Sequence, residues 1–142
     1  MYDAELHLVH QDKVTHELAV IGIFFDRKAG GNKHNSFIES LQIKNLKKND
    51  SFIIPSIPLV DKLIKKLNTD KIYNYAGSLT NPPCDESVNW IVVDDPQPIS
   101  DSQLADLQAY WANNEEFAGG NGNNREVQPL NGRTIYVKGL YQ

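Results

Sequence analysis

Glu5 and His7 are the first residues in this sequence whose types and spacing suggest chemistry. Both alternate with Leu6 and Leu8, so an extended chain would place the two polar side chains on one face. A carboxylate in that position can accept the ring N–H of the histidine and fix its tautomer, as carboxylates do behind histidines that bind metal. The same pattern also suits a histidine with a purely structural role.

The remaining histidines do not have the spacing that would make them further ligands beside His7. His10 lies on the opposite face of the same extended segment and is the better candidate for a structural role. His16 and His34 fall in predicted loops, and we expect both to be solvated.

A hydroxyl and a thiol occur close together further along the chain. Thr80 precedes Asn81 and two prolines, and this stretch must be an irregular loop because proline removes a backbone donor from a β-ladder. Thr80 could therefore be a simple turn residue. Cys84 is the single cysteine and cannot form a disulfide within this sequence; a buried free thiol is one reading, since lone cysteines pack as small hydrophobic residues.

Strands are predicted on both sides of these residues. The run Leu18 to Phe25 is apolar on both faces and rich in β-branched and aromatic residues, which favours a strand in the middle of a sheet. Further strands are predicted at 4–10, 88–93 and 134–137, with an alternation at Tyr73 and Tyr75 leading to Gly77. We expect Asp94-Asp95-Pro96 to break the strand that begins at Val88.

Helices are predicted between the strands. Phe37 and Leu41 indicate a helix over 36–45, and leucines at helical spacing indicate a second helix over 59–67 that opens at Pro58. Ser100 and Gln103 form a capping-box pattern that predicts a third helix through Trp111. Loops are predicted at 26–35 and 115–124. Because strands and helices do not alternate regularly, the predicted class is mixed α/β (α+β), with a mainly antiparallel central β-sheet and short peripheral helices.

Length and composition limit the functions that this sequence can have. The 142 residues suit a single domain, 1–142, and a net charge of -4 with scattered basic residues argues against a nucleic-acid partner. The longest apolar run, Leu18 to Phe25, is too short to span a membrane. The first residues have neither the basic start nor the apolar stretch of a signal peptide.

Three separated segments together resemble the α-carbonic anhydrases. They are Ala4 to His10, Tyr75 to Cys84 with its Leu79-Thr80-Asn81-Pro82-Pro83 core, and Asn123 to Arg133. Their order and spacing agree with that family, as do the Leu18 to Phe25 strand, Trp90 and the helix start at Pro98. The resemblance covers essentially the whole chain and corresponds to the C-terminal part of the domain, with the N-terminal segment absent.

The resemblance implies a zinc lyase. In this family three histidines hold Zn²⁺, and a hydroxide at the fourth position attacks CO2 to give bicarbonate. His7 is similar to the third ligand, with Glu5 behind it. The first two ligands would form a His-x-His pair on a preceding strand, which this sequence lacks, together with the family's upstream glutamate and histidine proton shuttle. We therefore expect an N-terminally truncated copy that is inactive as given.

The resemblance also implies roles around the metal. Thr80 would accept a hydrogen bond from the hydroxide and aim it, and an apolar wall would hold CO2, although the same residues could be plain core. The residues implied in substrate binding are Val9, Val20, Leu79, Asn81, Val88 and Trp90. Asn81 stands where the family usually has a second threonine, and Gln11 and Asn124 replace tryptophans. Asn123 and Arg125 resemble a structural polar pair.

The sequence also allows other readings. In many secreted members the cysteine at the position of Cys84 bonds to one near the N-terminus, so a secreted or extracellular parent is expected. A catalytically inactive carbonic anhydrase-related binding module is the alternative function, and complementation by a separate N-terminal fragment is a third possibility. Because a sheet that lacks strands has unpaired edges, we predict poor solubility for the chain alone.

Overall fold

The structure, a computed structural model, describes residues 1–46, 51–111 and 123–139. Most of the glycine-rich loop predicted at 115–124 lies outside these residues. None of the helices that are described is both long and apolar enough to cross a membrane.

Five strands form one sheet within the described residues, in the order β1-β2-β4-β3-β5. They are β1 (Ala4–Gln11), β2 (Leu18–Phe25), β3 (Ile72–Gly77), β4 (Val88–Gln97) and β5 (Tyr136–Lys138). β3 pairs antiparallel with both β4 and β5. β1 and β2 are neighbours joined only by the turn at 12–17, which is too short for a parallel crossover. The predicted class, a mixed fold on a mainly antiparallel sheet, is confirmed.

The strand boundaries differ from the prediction at two places. The predicted break at Asp94-Asp95-Pro96 is wrong, because β4 continues to Gln97. Its pairing with β3 ends at Ile72↔Val93, and the N–H of Asp94 still donates to Lys71 O at 3.1 Å. Pro96 lies beyond this last pair, so its missing N–H removes no bond of the β3–β4 ladder. β5 lies at 136–138 rather than 134–137.

The two predicted helices before β3 are shorter than expected. α1 (Ser36–Ser40) ends early because Gln42 adopts the left-handed conformation, φ 53°, and only a 3₁₀ turn, Ile43–Asn45, follows it. α2 (Leu59–Lys62) follows Pro58, as predicted, but Leu63 leaves the helical region and another 3₁₀ turn, Ile64–Lys66, completes the segment. The predictions of single helices over 36–45 and 59–67 are therefore wrong.

α3 (Asp101–Trp111) forms as predicted, and so does its capping box. The Ser100 hydroxyl accepts the N–H of Gln103 at 3.3 Å, and the Gln103 side-chain oxygen accepts the N–H of Ser100 at 3.4 Å. The predicted loop at 26–35 contains one turn of π-helix, Arg27–Gly31. Asp26 caps that turn by accepting the N–H groups of Lys28 and Ala29.

Contacts within the chain divide it into two compact units. The described residues of Met1–Ala4, Phe25–Leu67 and Gln97–Asn123 form the first, and those of Glu5–Phe24, Asn68–Pro96 and Asn124–Gln142 form the second. The first has a core of Phe25, Phe37, Leu63, Ile99 and Leu104. The second holds most of the sheet, with Val20, Val88, Trp90 and Val92 in one buried cluster. The single domain at 1–142 stays a prediction.

Candidate functional site

Glu5 and His7 lie side by side on β1, as their alternation predicts. His7 Nε2 is 3.2 Å from Glu5 Oε1, and the two side chains are only about a third exposed, 28% and 35%. The contact does not have hydrogen-bond geometry, so the buried Nε2 has no hydrogen-bond partner in the described part of the chain. Glu5 is nevertheless the acceptor that this nitrogen faces. A proton on Nε2 leaves the lone pair on Nδ1, which is the form of histidine that can bind a metal through that atom.

Trp90 fixes the position of the His7 ring from β4. The two rings pack edge to face, with centroids 4.8 Å apart and an interplanar angle of 73°. Trp90 is only 5% exposed, and its Nε1 donates to Ser78 O at 3.0 Å. An aromatic ring that is buried and hydrogen-bonded has little rotational freedom, so it limits the orientations open to His7.

Two glycines in the strands make room for the side chains of Trp90 and Glu5. The sequence patterns did not single out either glycine. A Cβ on Gly77 would lie 2.8 Å from Trp90 Cδ1, and one on Gly22 would lie 2.6 Å from Glu5 Oε1. Glycine inside an apolar strand run is the signal that could have located Gly22, since it often marks a close approach by another group, whereas Gly77 ends β3 and carries no such signal. The partner group depends on sheet register, which the sequence did not provide.

Thr80 lies in the irregular loop after β3, with its side chain exposed. Arg125 supports the residues just before it, because its Nη1 donates to Ser78 Oγ at 2.9 Å and to Leu79 O at 3.1 Å. The loop is closed by the N–H of Leu79, which donates to Asp85 O at 3.0 Å. This arrangement accommodates both readings of Thr80, as a turn residue and as a positioned hydroxyl. It also agrees with the structural role expected of Arg125.

The apolar residues expected to contact substrate fall into two groups. Val20, Val88 and Trp90 are buried in one cluster, and Leu79 packs against its edge. Val9 is 60% exposed and lies outside that cluster, as does the exposed Asn81. The cluster is also the core of the sheet, so burial alone does not distinguish a substrate wall from ordinary packing.

Tyr75 gives the site one further electrostatic feature. Burial raises the pKa of its phenol, and the negative charge of Glu5 raises that pKa further, while Arg133 acts in the opposite direction. Because the ordinary pKa of tyrosine is already 10.0, the phenol stays neutral near pH 7. Tyr75 therefore contributes a neutral hydroxyl, and its pKa responds to the charges of Glu5 and Arg133.

The described residues offer only part of the ligand set that a zinc ion needs. Among the described residues no group of three His, Cys, Asp or Glu side chains could hold a metal ion, and the other residues contain no histidine or cysteine. His10 is exposed, with Nδ1 3.0 Å from Leu8 O, and His34 is exposed and pairs with Glu39 at 2.8 Å. His7 thus offers one nitrogen suited to zinc, and the residues that the structure describes do not complete a three-ligand set around it.

Comparison with known proteins gives one consistent result. The family model of eukaryotic-type carbonic anhydrases matches residues 1–139. A carbonic anhydrase of Nostoc sp. is 35% identical over 147 residues, which cover 95% of this chain and 46% of the relative. Carbonic anhydrase 1 of Oryctolagus cuniculus is 34% identical, with 94% of this chain and 61% of the relative covered. The chain thus spans about half the length of the curated relatives it matches.

The solved structures agree with the sequence relatives. The α-carbonic anhydrase from Thermovibrio ammonificans, in complex with the inhibitor sulfanilamide, superposes with a TM-score of 0.70 at 34% sequence identity. The superposition covers 92% of this chain and 52% of that protein. The likeness in fold therefore extends over nearly the whole described sheet and its helices.

Proposed function

Because the chain belongs to the family of eukaryotic-type carbonic anhydrases, we propose that it carries part of the active site of a zinc-dependent lyase that interconverts CO2 and bicarbonate. The observation that carries this proposal is the contact between Glu5 Oε1 and His7 Nε2, held beside the edge of Trp90. This is the arrangement of a carboxylate behind a metal-binding histidine.

Each side chain has a distinct role in this proposal. His7 supplies one zinc ligand through Nδ1, while Glu5 receives the Nε2 proton and keeps that tautomer. The Thr80 hydroxyl orients the nucleophile, and Val20, Leu79, Val88 and Trp90 form a surface for CO2, which has no dipole and so favours apolar contacts. Val9 and Asn81 extend that surface from exposed positions. Bound zinc would supply hydroxide at neutral pH, the chemistry for which carbonic anhydrase is the standard example.

The site needs ligands beyond those in this sequence. His7 is the only histidine among the described residues that combines a buried nitrogen with a nearby carboxylate, and no described group of three His, Cys, Asp or Glu could hold a metal, so the proposal takes the two further ligands from outside this sequence. The proposal is therefore that the isolated chain does not hydrate CO2 and that a polypeptide containing it together with the missing ligands does. A secreted parent, suggested by Cys84, belongs to the same proposal; Cys84 is free and half-buried here.

The test compares two proteins. The first is the 142-residue chain incubated with zinc, for which we expect no CO2 hydration above buffer. The second is the protein purified from its source that contains this sequence, for which we expect one zinc per chain and rapid hydration. His7→Ala should abolish both in the second protein, whereas His10→Ala, on the opposite face of β1, should change neither.

Two results would contradict the proposal. Rapid hydration by the 142-residue chain would show that the site is complete without further ligands. A source protein that neither binds zinc nor hydrates CO2 would support the alternative of an inactive carbonic anhydrase-related binding module instead.

A further inference from the structure

Gly22 occupies an unexpected place in the middle of β2. Its neighbours Val20, Ile21 and Ile23 are β-branched, as suits a central strand, and a glycine among them weakens the strand. Gly22 has no left-handed backbone angle that would require glycine. The reason for a glycine at this position must therefore be sought in the space that its missing side chain leaves.

That space is filled by the Glu5 carboxylate. A Cβ on Gly22 would lie 2.6 Å from Glu5 Oε1, which is closer than real Cβ atoms approach an oxygen. The next neighbours, Val92 Cγ2 at 3.5 Å and Trp90 Cζ3 at 3.7 Å, are at ordinary contact distances. A methyl group at position 22 would thus conflict with one atom only, and that atom is the end of a flexible side chain.

The same oxygen faces His7. Glu5 Oε1 lies 3.2 Å from His7 Nε2, so the atom that a Cβ would displace is the atom that faces the imidazole. We propose that Gly22 is a positioning residue: the absence of a side chain at this position lets the Glu5 carboxylate lie against His7 and set which ring nitrogen carries the proton.

This inference rests on the proposed function for its importance, because the tautomer matters only if Nδ1 binds a metal. The inference can be tested without any metal, however, since the protonation of the two ring nitrogens is visible in the metal-free protein. A failure of the proposed role of Gly22 can therefore be distinguished from a failure of the proposed zinc-dependent function.

The experiment uses nitrogen-15 NMR of histidine side chains in the metal-free source protein that contains this sequence, at one fixed pH near neutrality. In the unmodified protein we expect His7 to give a protonated Nε2 and an unprotonated Nδ1. In Gly22→Ala the two His7 signals should move toward each other as both tautomers become populated. His10 should keep its signals, and so should His7 in Ile21→Val, a change on the other face of β2.

A double-mutant comparison separates positioning from general disturbance of the strand. Glu5→Ala alone should shift the His7 signals as Gly22→Ala does, and the combination should shift them no further. In the same proteins loaded with zinc, all three variants should bind the metal about 10–100-fold more weakly, the loss typical of a disturbed partner of a metal ligand.

The inference is overturned if Gly22→Ala leaves the His7 tautomer unchanged, or if its effect persists in full when Glu5 is already alanine. Folding provides a further check. If Gly22→Ala does not fold but Glu5→Ala/Gly22→Ala does, the conflict with the carboxylate is demonstrated. If neither folds, the methyl group conflicts with something other than Glu5 and the inference is wrong. If the variants change the His7 tautomer as expected but the source protein never binds zinc, the inference about Gly22 stands and the proposed function is rejected.

Discussion

At the scale of single residues, Asp3 and Arg27 show how one ion pair can make stability depend on pH. Arg27 donates to Asp3 Oδ2 from both its backbone N and its Nε, each at 2.9 Å, and to Oδ1 from Nη2 at 3.0 Å. A further bond joins Arg27 Nη1 to Asp101 Oδ1 at 3.0 Å. The hydrogen bonds from the Arg27 side chain, followed by the one from its backbone, lower the pKa of Asp3 from 3.8 to about 2.

The sign of the pH effect follows from this pKa. Because the folded state binds the Asp3 proton less readily than the unfolded state, the ion pair stabilises the fold above about pH 4 and loses that effect as the pH falls toward 2. We expect Asp3→Asn to lower the free energy of unfolding at pH 6 and to have little effect near pH 2. Urea denaturation across this range measures it. In a protein that already carries Arg27→Gln, Asp3→Asn should lower the free energy of unfolding much less at pH 6. If Asp3→Asn lowers it equally at every pH, the ion pair is not the cause of the pH dependence.

A second prediction at this scale concerns Trp90. Replacement by Phe keeps an aromatic ring against His7 but removes the donor to Ser78 O, which then has no indole partner. An unpaired, partly buried carbonyl typically costs about 1–3 kcal/mol, and the smaller ring also leaves space in the buried cluster, so Trp90→Phe should lower the free energy of unfolding by about 2 kcal/mol or more. Denaturant unfolding measures the change. Tyr136→Phe, at a residue that is 66% exposed, is the control and should have no measurable effect; equal losses in both variants would refute the stabilising role of the buried Trp90 side chain.

At the scale of elements, the side chain of Asn35 caps the short helix α1 and also bonds to the segment before α3. Its Oδ1 accepts the N–H groups of Phe37 at 2.9 Å and Ile38 at 3.3 Å, while its Nδ2 donates to Pro98 O at 2.9 Å. The Gln103 side chain completes the link by bonding to both the N–H and the carbonyl of Asn35, each at 2.8 Å. Asn35 is only 7% exposed, so water does not replace these bonds easily.

The helix should therefore be sensitive to Asn35→Ala. Loss of an N-cap costs about 1 kcal/mol, and the unpaired Pro98 carbonyl adds a similar amount, so we expect the free energy of unfolding to fall by about 2 kcal/mol. Thermal or urea unfolding measures this loss. Asn45→Ala, at an exposed residue of the 3₁₀ turn, should leave stability nearly unchanged. A loss in Asn35→Ala no larger than in that control would show that α1 does not depend on its cap.

The elements differ in how far the sequence predicts them. β2 and α3 carry local signals, an apolar β-branched run and a capping box, and both form as predicted. The continuation of β4 through Pro96 depends on where β3 stops pairing, and the end of α1 depends on the left-handed backbone of Gln42. Neither feature has a signal within a few residues of sequence.

The candidate site is likewise predicted from the sequence only where its contacts are local. The contact between Glu5 and His7 lies within one strand, where period-two geometry predicts it. The spaces at Gly22 and Gly77 depend on which residue of a neighbouring strand stands opposite, so they became visible only with the sheet in place. The family resemblance supplied the roles of Thr80 and the apolar wall, which neither burial nor hydrogen bonding would have assigned.

At the scale of the whole molecule, the two outer strands of the described sheet differ greatly in length. β1 extends over Ala4–Gln11 and has β2 as its one neighbour in the described part of the chain, whereas β5 comprises three residues. A long outer strand presents a row of unpaired backbone groups that can pair with another chain. Apolar side chains lie exposed along or near that strand, including Val9 at 60% and Val14 at 85%.

We therefore expect the isolated chain to associate with itself through β1, which is the physical basis of its predicted poor solubility. Val9→Lys places a charge on the long outer strand and should shift the molecule toward monomer in sedimentation velocity. Tyr136→Lys is the matched control, since it adds the same charge at an exposed residue of β5, where three residues offer little backbone to pair. If both lysines reduce association equally, the effect is one of net charge and β1 is not the contact. If the unmodified chain is a monomer with a sharp unfolding transition, the prediction of poor solubility is wrong and β1 alone does not drive association.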